Sequence, residues 1–346
     1  MGLVLIRKVL GFKFAYVPRG PLMDYEDAEV VKAMLEGLTK LAKKQRCLFI
    51  RLDPNVNYRV FPLADKDTSD VLPSGQKAID NLLLANSRHM GFPLKMGDGF
   101  QPRFMAIAHY SEDYMDKLSK KAKKSIKDAD KLMVKVRKAS VDDLDDFINV
   151  IHKTENRKDI QLRSKSYFEL MMKTLKEKAL LMYAEIYVKE NIQIYTQELN
   201  QLLAELPEKP PKRAALMQQR IDALKRNIDE LQPYLESGQD KIVLSGGLSI
   251  MYGHTIEHIY SGFNIDFKRY RPQYKLTTER MRYGFERGYT YSNFGGIEGS
   301  LDDGLTEFKS NFNPLIHEYI GEFDVPTSWL YPLFMIAWKL RKKLRG

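Results

Sequence analysis

The chain has 346 residues, which is enough for two domains of ordinary size, each with its own core. Hydrophobic residues make up 44% and charged residues 29%, a composition that is typical of globular proteins and excludes disordered and fibrous ones. Cys47 is the only cysteine, which excludes a disulfide framework and a cysteine-built metal site and fits a reducing compartment. The formal charge is +10, with 55 Lys and Arg against 45 Asp and Glu, so polyanions are the favoured partners.

The chain opens with the alternation of strand, helix and strand. Residues 3–6 are apolar, and residues 12–17 alternate like a half-buried strand. Asp24 is a candidate N-cap for a helix with one apolar stripe, and residues 47–52 predict a second short strand. This pattern predicts an α/β domain. Because the first strand has no lead-in, we expect the beginning of this domain to lie outside the chain.

A strongly basic segment spans residues 115–138 and contains ten Lys and Arg residues. Its apolar residues recur at spacings of three and four, which predicts a helix with one buried face. A charged helical face is most often simply solvated. The excess of cations also suits contact with RNA phosphates, for which Lys120, Lys124 and Lys127 are the candidates. Both interpretations stay open.

Residues 189–238 have a heptad pattern, with apolar residues at alternating spacings of three and four. Prolines at positions 207, 210 and 211 divide this pattern into two stretches of similar length, which predicts an antiparallel helical hairpin. We expect its seam residues to be buried only against each other. The extended pattern resumes at Lys241, so the hairpin is expected to be an insertion between strands.

The last hundred residues return to an α/β pattern. We expect strands at residues 242–251, 255–261, 289–294 and 315–323, and a helix at 274–287. The chain then ends in an aromatic segment followed by basic residues, which suits either a helix at an anionic membrane surface or a core helix with a solvated end. No apolar run reaches 18 residues and no signal peptide is evident, so we predict no membrane-spanning helix.

The short motifs of phosphate loops, dinucleotide sites, zinc proteases and serine hydrolases do not occur. His254 and His258 are four residues apart and could share a helix face. They lie, however, in a strand-like stretch flanked by glycines and have no third ligand nearby. We therefore expect neither a metal nor a cofactor.

Six phrases of the sequence occur in the order that is typical of one family. They are residues 16–25 (YVPRGPLMDY), 51–54 (RLDP), 154–157 (TENR), 294–298 (FGGIE), 304–312 (GLTEFKSNF) and 318–323 (EYIGEF). At these residues the chain resembles the Fem/Mur (FemABX) family of aminoacyl-tRNA-dependent peptidoglycan cross-bridge aminoacyltransferases. Its motif sequences are most similar to those of the MurM/MurN-like branch. The resemblance covers essentially the whole chain, and the predicted hairpin lies where family members carry a coiled-coil arm.

The resemblance implies an α/β (α+β) fold of two GNAT-like, or acetyltransferase-like, domains. The first would be residues 1–135, the second residues 136–188 with 239–346, and the inserted antiparallel coiled-coil arm residues 189–238. The implied reaction moves Ala, Ser or Gly from aminoacyl-tRNA to a stem-peptide amine of lipid II or a UDP-MurNAc-peptide. Lipid II is a membrane substrate, so we expect a cytoplasmic protein that is peripheral to the inner face of the cell membrane. Both substrates carry phosphates, which agrees with the positive net charge.

The resemblance also implies roles for particular residues. Lys309 matches a family lysine that stabilises charge developing during transfer, and Phe308 precedes it in the same phrase. Arg157 matches an arginine that contacts the substrate diphosphate, for which a guanidinium fork is well suited. Tyr260 and Tyr319 fall where family members have substrate-contacting tyrosines.

Asp53 follows a predicted strand and matches an aspartate considered as the general base in the family. An Asp-Pro pair after a strand is also a favourable turn, and a ribose hydroxyl of the tRNA could carry the proton instead. Two further functions stay open at this point: a non-catalytic tRNA-binding or RNA-binding module, and a membrane-recruited coiled-coil scaffold with degenerate transferase domains.

Overall fold

The computed structural model describes residues 1–158 and 163–343 and separates into two compact units. Unit 1 combines Met1–Lys117 with Asn293–Gly346, and unit 2 comprises Leu118–Ser292. Both units contain strands and helices, which confirms the predicted α/β class. Among the described residues, no helix is both long enough and apolar enough to cross a membrane.

The elements are numbered in chain order. The strands are β1 (Leu5–Val9), β2 (Phe12–Val17), β3 (Cys47–Leu52), β4 (Asn57–Pro62), β5 (Arg88–His89), β6 (Phe104–His109), β7 (Lys135–Ala139), β8 (Ala179–Tyr187), β9 (Lys241–Tyr252), β10 (Thr255–Phe263), β11 (Tyr291–Ile297), β12 (Leu315–Tyr319) and β13 (Phe323–Pro326). The helices are α1 (Ala28–Lys44), α2 (Pro73–Leu84), α3 (Lys120–Lys131), α4 (Leu144–Lys158), α5 (Lys165–Leu175), α6 (Val188–Glu205), α7 (Pro211–Glu236), α8 (Pro272–Phe285), α9 (Gly304–Ser310) and α10 (Tyr331–Lys343).

Unit 1 is built on a five-stranded sheet in the order β1-β2-β3-β13-β5. Strands β2 and β3 are parallel, and the other pairs are antiparallel. One apolar group joins this sheet to α1 and α2 through buried residues such as Leu35, Ile50 and Leu82. A second group contains Phe14 and Phe49, whose rings stack at 5.1 Å, together with apolar residues of α10. Helix α10 is therefore partly a core helix.

Two strands near the C-terminus lie between strands from the first third of the chain. Strand β12 pairs with β4 and with β6, and β13 pairs with β3 and with β5. The prediction of a single strand at residues 315–323 is wrong, because the chain turns at Gly321, whose φ is +88°. This turn lets β12 and β13 enter two different sets of strands.

The division into units differs from the expected domain boundaries. Residues 293–346, which were expected in the second domain, belong to unit 1 because β12 and β13 pair there. Unit 1 also ends its first stretch at Lys117, before the predicted boundary at residue 135. Helix α3 contacts α8, so it belongs to unit 2.

Unit 2 contains four antiparallel strands in the order β10-β9-β8-β7. Apolar side chains of these strands belong to two separate groups. Helices α4 and α5 pack on the group that contains Phe147 and Phe168, and α8 packs on the group that contains Leu276. The prediction of a single helix over residues 115–138 is wrong. Ser119 caps α3, and Met133 has a left-handed φ of 58°, after which the chain forms β7 beside β8.

The predicted antiparallel helical hairpin is confirmed as α6 and α7, separated by a turn at Leu206–Glu208. An ion pair between Arg220 and Glu198 crosses from one helix to the other. The base of the hairpin, however, is part of the core of unit 2. Tyr195, Leu224 and Leu231 are fully buried there, in one apolar group with residues of β8, β9 and α8. The expectation that the seam residues are buried only against each other is therefore wrong at the base.

This packing makes the two ends of the arm differ in their importance for stability. Replacing residues 204–215 by a short glycine-serine linker should change the melting temperature little, since Leu203 and Leu216 beside the tip are exposed. Replacing residues 190–237 should abolish cooperative melting, because it removes core side chains; Leu231→Ala alone should cost about 2–5 kcal/mol. Thermal unfolding followed by circular dichroism measures all three variants. Cooperative melting of the longer deletion would contradict the placement of the base in the core.

Candidate functional site

Unit 1 buries three carboxylates in and beside the phrase EYIGEF. Glu318 of β12 forms ion pairs with Arg59 of β4 and with Arg103, the residue before β6. The Nε atom of Arg59 lies 2.5 Å from Glu318 Oε2. Burying a carboxylate is costly unless it is paired and hydrogen-bonded, so these contacts fix β12 between its two neighbours.

A second ion pair joins β13 to β3. The Nε and Nη2 atoms of Arg51 each lie 2.7 Å from a carboxylate oxygen of Asp324, and the Tyr331 hydroxyl donates to Asp324 at 2.8 Å. The third acid, Glu322, lies 3.4 Å from Arg51 Nη1 and accepts a hydrogen bond from the backbone N–H of Phe100. Burial raises the pKa of the Glu322 carboxyl.

Asp53 directly follows β3 and organises a group of polar side chains. The Tyr16 hydroxyl donates to Asp53 Oδ2 at 2.6 Å, and the backbone N–H of Arg19 donates to Oδ1 at 2.5 Å. The guanidinium of Arg19 donates to the carbonyl oxygen of Pro102 at 2.7 Å and lies 4.3 Å from the ring centre of Tyr319. Two predicted residues, Asp53 and Tyr319, are thus brought together through Arg19. Arg19 and Tyr16 were not predicted as site residues, although both belong to the first phrase of the resemblance.

The surroundings of Asp53 favour a positioning role. Its side chain is buried, and burial raises its pKa, although the hydrogen bonds from Tyr16 and Arg19 act in the opposite direction. Burial and the neighbouring carboxylate also raise the pKa of the Tyr16 hydroxyl, which therefore stays a donor. Since both carboxylate oxygens of Asp53 accept hydrogen bonds within unit 1, this residue holds Tyr16 and Arg19 in place.

Lys309 lies in α9, a helix that begins at the N-cap Asp303. Its side chain is buried, and Nζ donates to the carbonyl oxygen of Gly296 at 2.7 Å. A Cβ atom at Gly296 would lie 2.4 Å from the ring of Pro102, so only glycine allows this close approach. Pro102 is also the residue whose carbonyl oxygen binds Arg19. The segment around Pro102 thus links Lys309 to the group around Asp53.

Phe308 precedes Lys309 in α9 and is half-buried. Its ring lies 5.3 Å from that of Phe312, which in turn lies 5.4 Å from the ring of Phe294. These contacts stabilise the position of α9 against β11. The role of Phe308 in binding substrate stays a prediction.

Tyr260 lies in unit 2, on β10, and packs edge-on against Phe168 of α5 with ring centres 4.9 Å apart. Burial raises the pKa of Tyr260, and a hydrogen bond with Tyr167 acts in the same direction, while a hydrogen bond with Arg163 opposes it. Arg163 and Tyr167 follow the phrase TENR in the sequence. Neither residue was predicted to have a role at this position.

Arg157 belongs to α4, but its side chain lies outside the described residues. Thr154 of the same phrase is buried; its hydroxyl donates to the carbonyl oxygen of Val150 and accepts a hydrogen bond from the backbone N–H of Phe263. Thr154 therefore joins α4 to the end of β10. The contact of Arg157 with a diphosphate stays a prediction.

The basic helix α3 exposes Lys120, Lys124 and Lys127, while Ala122, Ser125 and Ala129 are buried. Its first turn contains no acidic residue, although acids are the favoured residues there because the helix dipole is positive at the N-terminus. Lysines at this end therefore add to a positive potential instead of opposing it. Such a surface suits a polyanion.

The two histidines considered above do not share a helix. His258 lies in β10, where Nδ1 is 3.1 Å from Ser249 Oγ and Nε2 is 2.8 Å from Ser292 Oγ. His254 lies in the turn between β9 and β10. Within the parts of the chain that the structure describes, no group of three or more His, Cys, Asp or Glu side chains could hold a metal ion.

Comparisons with known proteins agree with this architecture. A family model described as the FemAB family matches residues 2–339. Aminoacyltransferase FemA of Staphylococcus aureus (strain bovine RF122 / ET3-1) is 26% identical over 336 residues, which cover 91% of this chain and 80% of that protein; FemA of strain MRSA252 gives the same values. A crystal structure of FemX is similar with a TM-score of 0.75 and 26% identity, over 97% of this chain and 86% of FemX.

The shared fold and the relatives together define an aminoacyltransferase. The chain belongs to the FemAB family. The resemblance carried by the six phrases is therefore confirmed, and so is the predicted enzyme class. This result favours the enzyme over both non-enzymatic alternatives.

The buried carboxyl of Asp53 has a consequence for the dependence of stability on pH. Its pKa is raised on folding, so the unfolded chain loses this proton first as the pH rises. The contribution of Asp53 to stability is therefore full below the unfolded pKa of about 3.9 and falls as the pH rises toward the folded pKa.

Asp53→Asn removes this titration. We expect the difference in free energy of unfolding, wild type minus variant, to be smaller at about pH 7 than at about pH 4. Urea denaturation of both proteins at the two pH values measures this difference. A difference that grows with pH would show that hydrogen bonds from Tyr16 and Arg19 outweigh burial at this carboxyl.

Proposed function

We propose that this enzyme takes an amino acid, Ala, Ser or Gly, from aminoacyl-tRNA and attaches it to the stem-peptide amine of lipid II. The observation that carries the proposal is the buried Lys309 beside the glycine pair of β11, within a chain that belongs to the FemAB family. The positive charge of the chain supports it, because both substrates are rich in phosphate.

The reaction is the aminolysis of an ester. The neutral amine attacks the ester carbonyl, and the carbon–oxygen bond to the ribose breaks when the tetrahedral intermediate collapses. The amine loses one proton and the leaving ribose oxygen gains one, so no net proton is released. The enzyme has to stabilise the oxyanion and hold the two substrates in register.

In this proposal Lys309 supplies the charge that stabilises the oxyanion. Its ammonium group is held in place by the carbonyl oxygen of Gly296, so it need not be reoriented during the reaction. Asp53 acts as a positioning residue through Tyr16 and Arg19, and the neighbouring ribose hydroxyl of the tRNA carries the proton. Tyr319, under the guanidinium of Arg19, contributes to the same substrate surface.

Unit 2 supplies the contacts to the phosphates and the peptide. Arg157 binds the diphosphate of the acceptor, Tyr260 contacts the same substrate, and the lysines of α3 bind the tRNA backbone. The enzyme works at the inner face of the cell membrane, where lipid II lies. Exposed apolar residues in and beside α10, Trp329, Leu333 and Ile336, support contact with that surface.

Mass spectrometry tests the proposed reaction directly. The protein is incubated with alanyl-, seryl- or glycyl-tRNA and with either a lipid II analogue or UDP-MurNAc-pentapeptide. Addition of one amino acid to an acceptor amine, dependent on the ester of the tRNA, is the expected result. Transfer to the nucleotide precursor alone would identify it as the acceptor and exclude lipid II.

Lys309→Met tests the role of the ammonium. Because the missing interaction is strongest in the transition state, turnover should fall about 10²–10³-fold while the Michaelis constants for both substrates change little. The carbonyl oxygen of Gly296 also loses its donor, so the free energy of unfolding should fall by about 1–3 kcal/mol. Steady-state kinetics and urea denaturation separate the two effects. A raised Michaelis constant with unchanged turnover would show that Lys309 is a ground-state anchor.

A triple variant, Lys120→Gln, Lys124→Gln and Lys127→Gln, tests the nucleic-acid surface. If each lysine contacts one phosphate, the slope of log affinity for tRNA against log salt should become shallower by about 2–3. Lys32→Gln, Lys40→Gln and Lys44→Gln in α1 remove the same charge from exposed positions of another helix and serve as the control. Equal slopes for the two triple variants would remove α3 from the tRNA site.

A further inference from the structure

Unit 1 contains a cavity of about 360 Å³ beside the ion pair of Arg51 and Glu322. One side is formed by the chain between β5 and β6, including Met90, Phe100 and three glycines; α10 forms another side through Met335 and Trp338. This volume is at the lower end of the range for small-molecule sites. It exceeds the volume of a small amino acid and has room for an aminoacyl group together with the ribose that carries it.

The charged groups of this cavity favour a cationic ligand. Arg51, Asp98 and Glu322 line it, one cation against two acids. Arg51 is moreover neutralised by Asp324, which binds its Nε and Nη2 atoms. Glu322 keeps Oε2 directed toward Arg51 Nη1 at 3.4 Å, which is longer than a normal hydrogen bond. An ammonium group near Oε2 would form a shorter, charge-assisted contact.

The cavity adjoins both groups of residues described above. Phe100, one of its lining residues, packs against Tyr16 with ring centres 4.8 Å apart, and Tyr16 binds Asp53. On the other side, Gly97 lines the cavity, and the preceding Met96 approaches Gly296 so closely that a Cβ there would lie 2.9 Å from its sulfur. Gly296 is the residue whose carbonyl oxygen holds Lys309.

We propose that this cavity holds the aminoacyl group of the donor, with its α-ammonium at Glu322 and its side chain against Met90, Met335 and Trp338. The proposal rests on the proposed function, since it supplies the place from which the amino acid is transferred. The methionine side chains give this part of the cavity an adaptable apolar surface for the side chain of the amino acid.

Two variants test the proposal. Glu322→Gln keeps the size of the side chain and an acceptor for the Phe100 N–H but removes the charge, so the Michaelis constant for alanyl-tRNA should rise about tenfold or more. Met335→Trp narrows the apolar side of the cavity and should raise the same constant without altering any charge. Leu84→Trp, at an exposed position of α2, is the matched control and should behave like the wild type. The Michaelis constant for the acceptor should stay constant in all three.

A direct probe separates this proposal from the proposed function. Alanine methyl ester, which carries an ammonium group, should inhibit transfer competitively against alanyl-tRNA, whereas N-acetylalanine methyl ester should not. Retained inhibition in both Glu322→Gln and Met335→Trp, together with unchanged Michaelis constants, would overturn the aminoacyl site while transfer itself stands. If the wild type transfers nothing but binds the charged ester in calorimetry, and both variants lose this binding, the proposed function fails and the cavity remains an ammonium site.

Discussion

The buried carboxylates of residues 318–324 are the constraint on which unit 1 depends. Glu318 and Asp324 pair with arginines that precede them by more than 200 residues, and all of these carboxylates are almost fully withdrawn from solvent. Removing one partner of such a pair leaves a buried charge and typically costs about 3–5 kcal/mol. Strands β12 and β13 can therefore occupy only the positions at which their acids meet Arg59, Arg103 and Arg51, and these positions join the two ends of the chain into one core.

The same ion pairs determine the geometry of the candidate site. Arg103, held by Glu318, follows Pro102, so the pair fixes the segment that contacts both halves of the site. On one side the carbonyl oxygen of Pro102 binds Arg19, which is fixed by Asp53; on the other side its ring packs against Gly296, which binds Lys309. A group that must stabilise charge in a transition state works best when it is already in position. The buried ion pairs provide this rigidity without taking part in the chemistry.

Local patterns in the sequence predicted local structure well. Strands β2 and β3 have the predicted bounds, and the heptad pattern predicted the hairpin, because period and turn residues are properties of short segments. The same reasoning joined β12 and β13 into one strand and assigned residues 293–346 to the wrong unit, since their pairing partners lie far away in the sequence. Of the site, the phrases indicated Asp53, Lys309 and Tyr319; the roles of Arg19, Pro102 and Glu322 depend on contacts across unit 1 that no spacing reveals.

Hydrogen–deuterium exchange of Asp324→Asn, compared with the wild type, tests most directly whether the buried carboxylates hold unit 1 and its site together. Asp302→Asn, at an exposed position of unit 1, is the control. We expect backbone amides of β3, of β13 and of residues 96–103 to lose protection together in Asp324→Asn, while β8 and β9 in unit 2 exchange as in the wild type. Loss of protection confined to residues 323–326 would contradict the account, because the ion pair would then hold only its own strand.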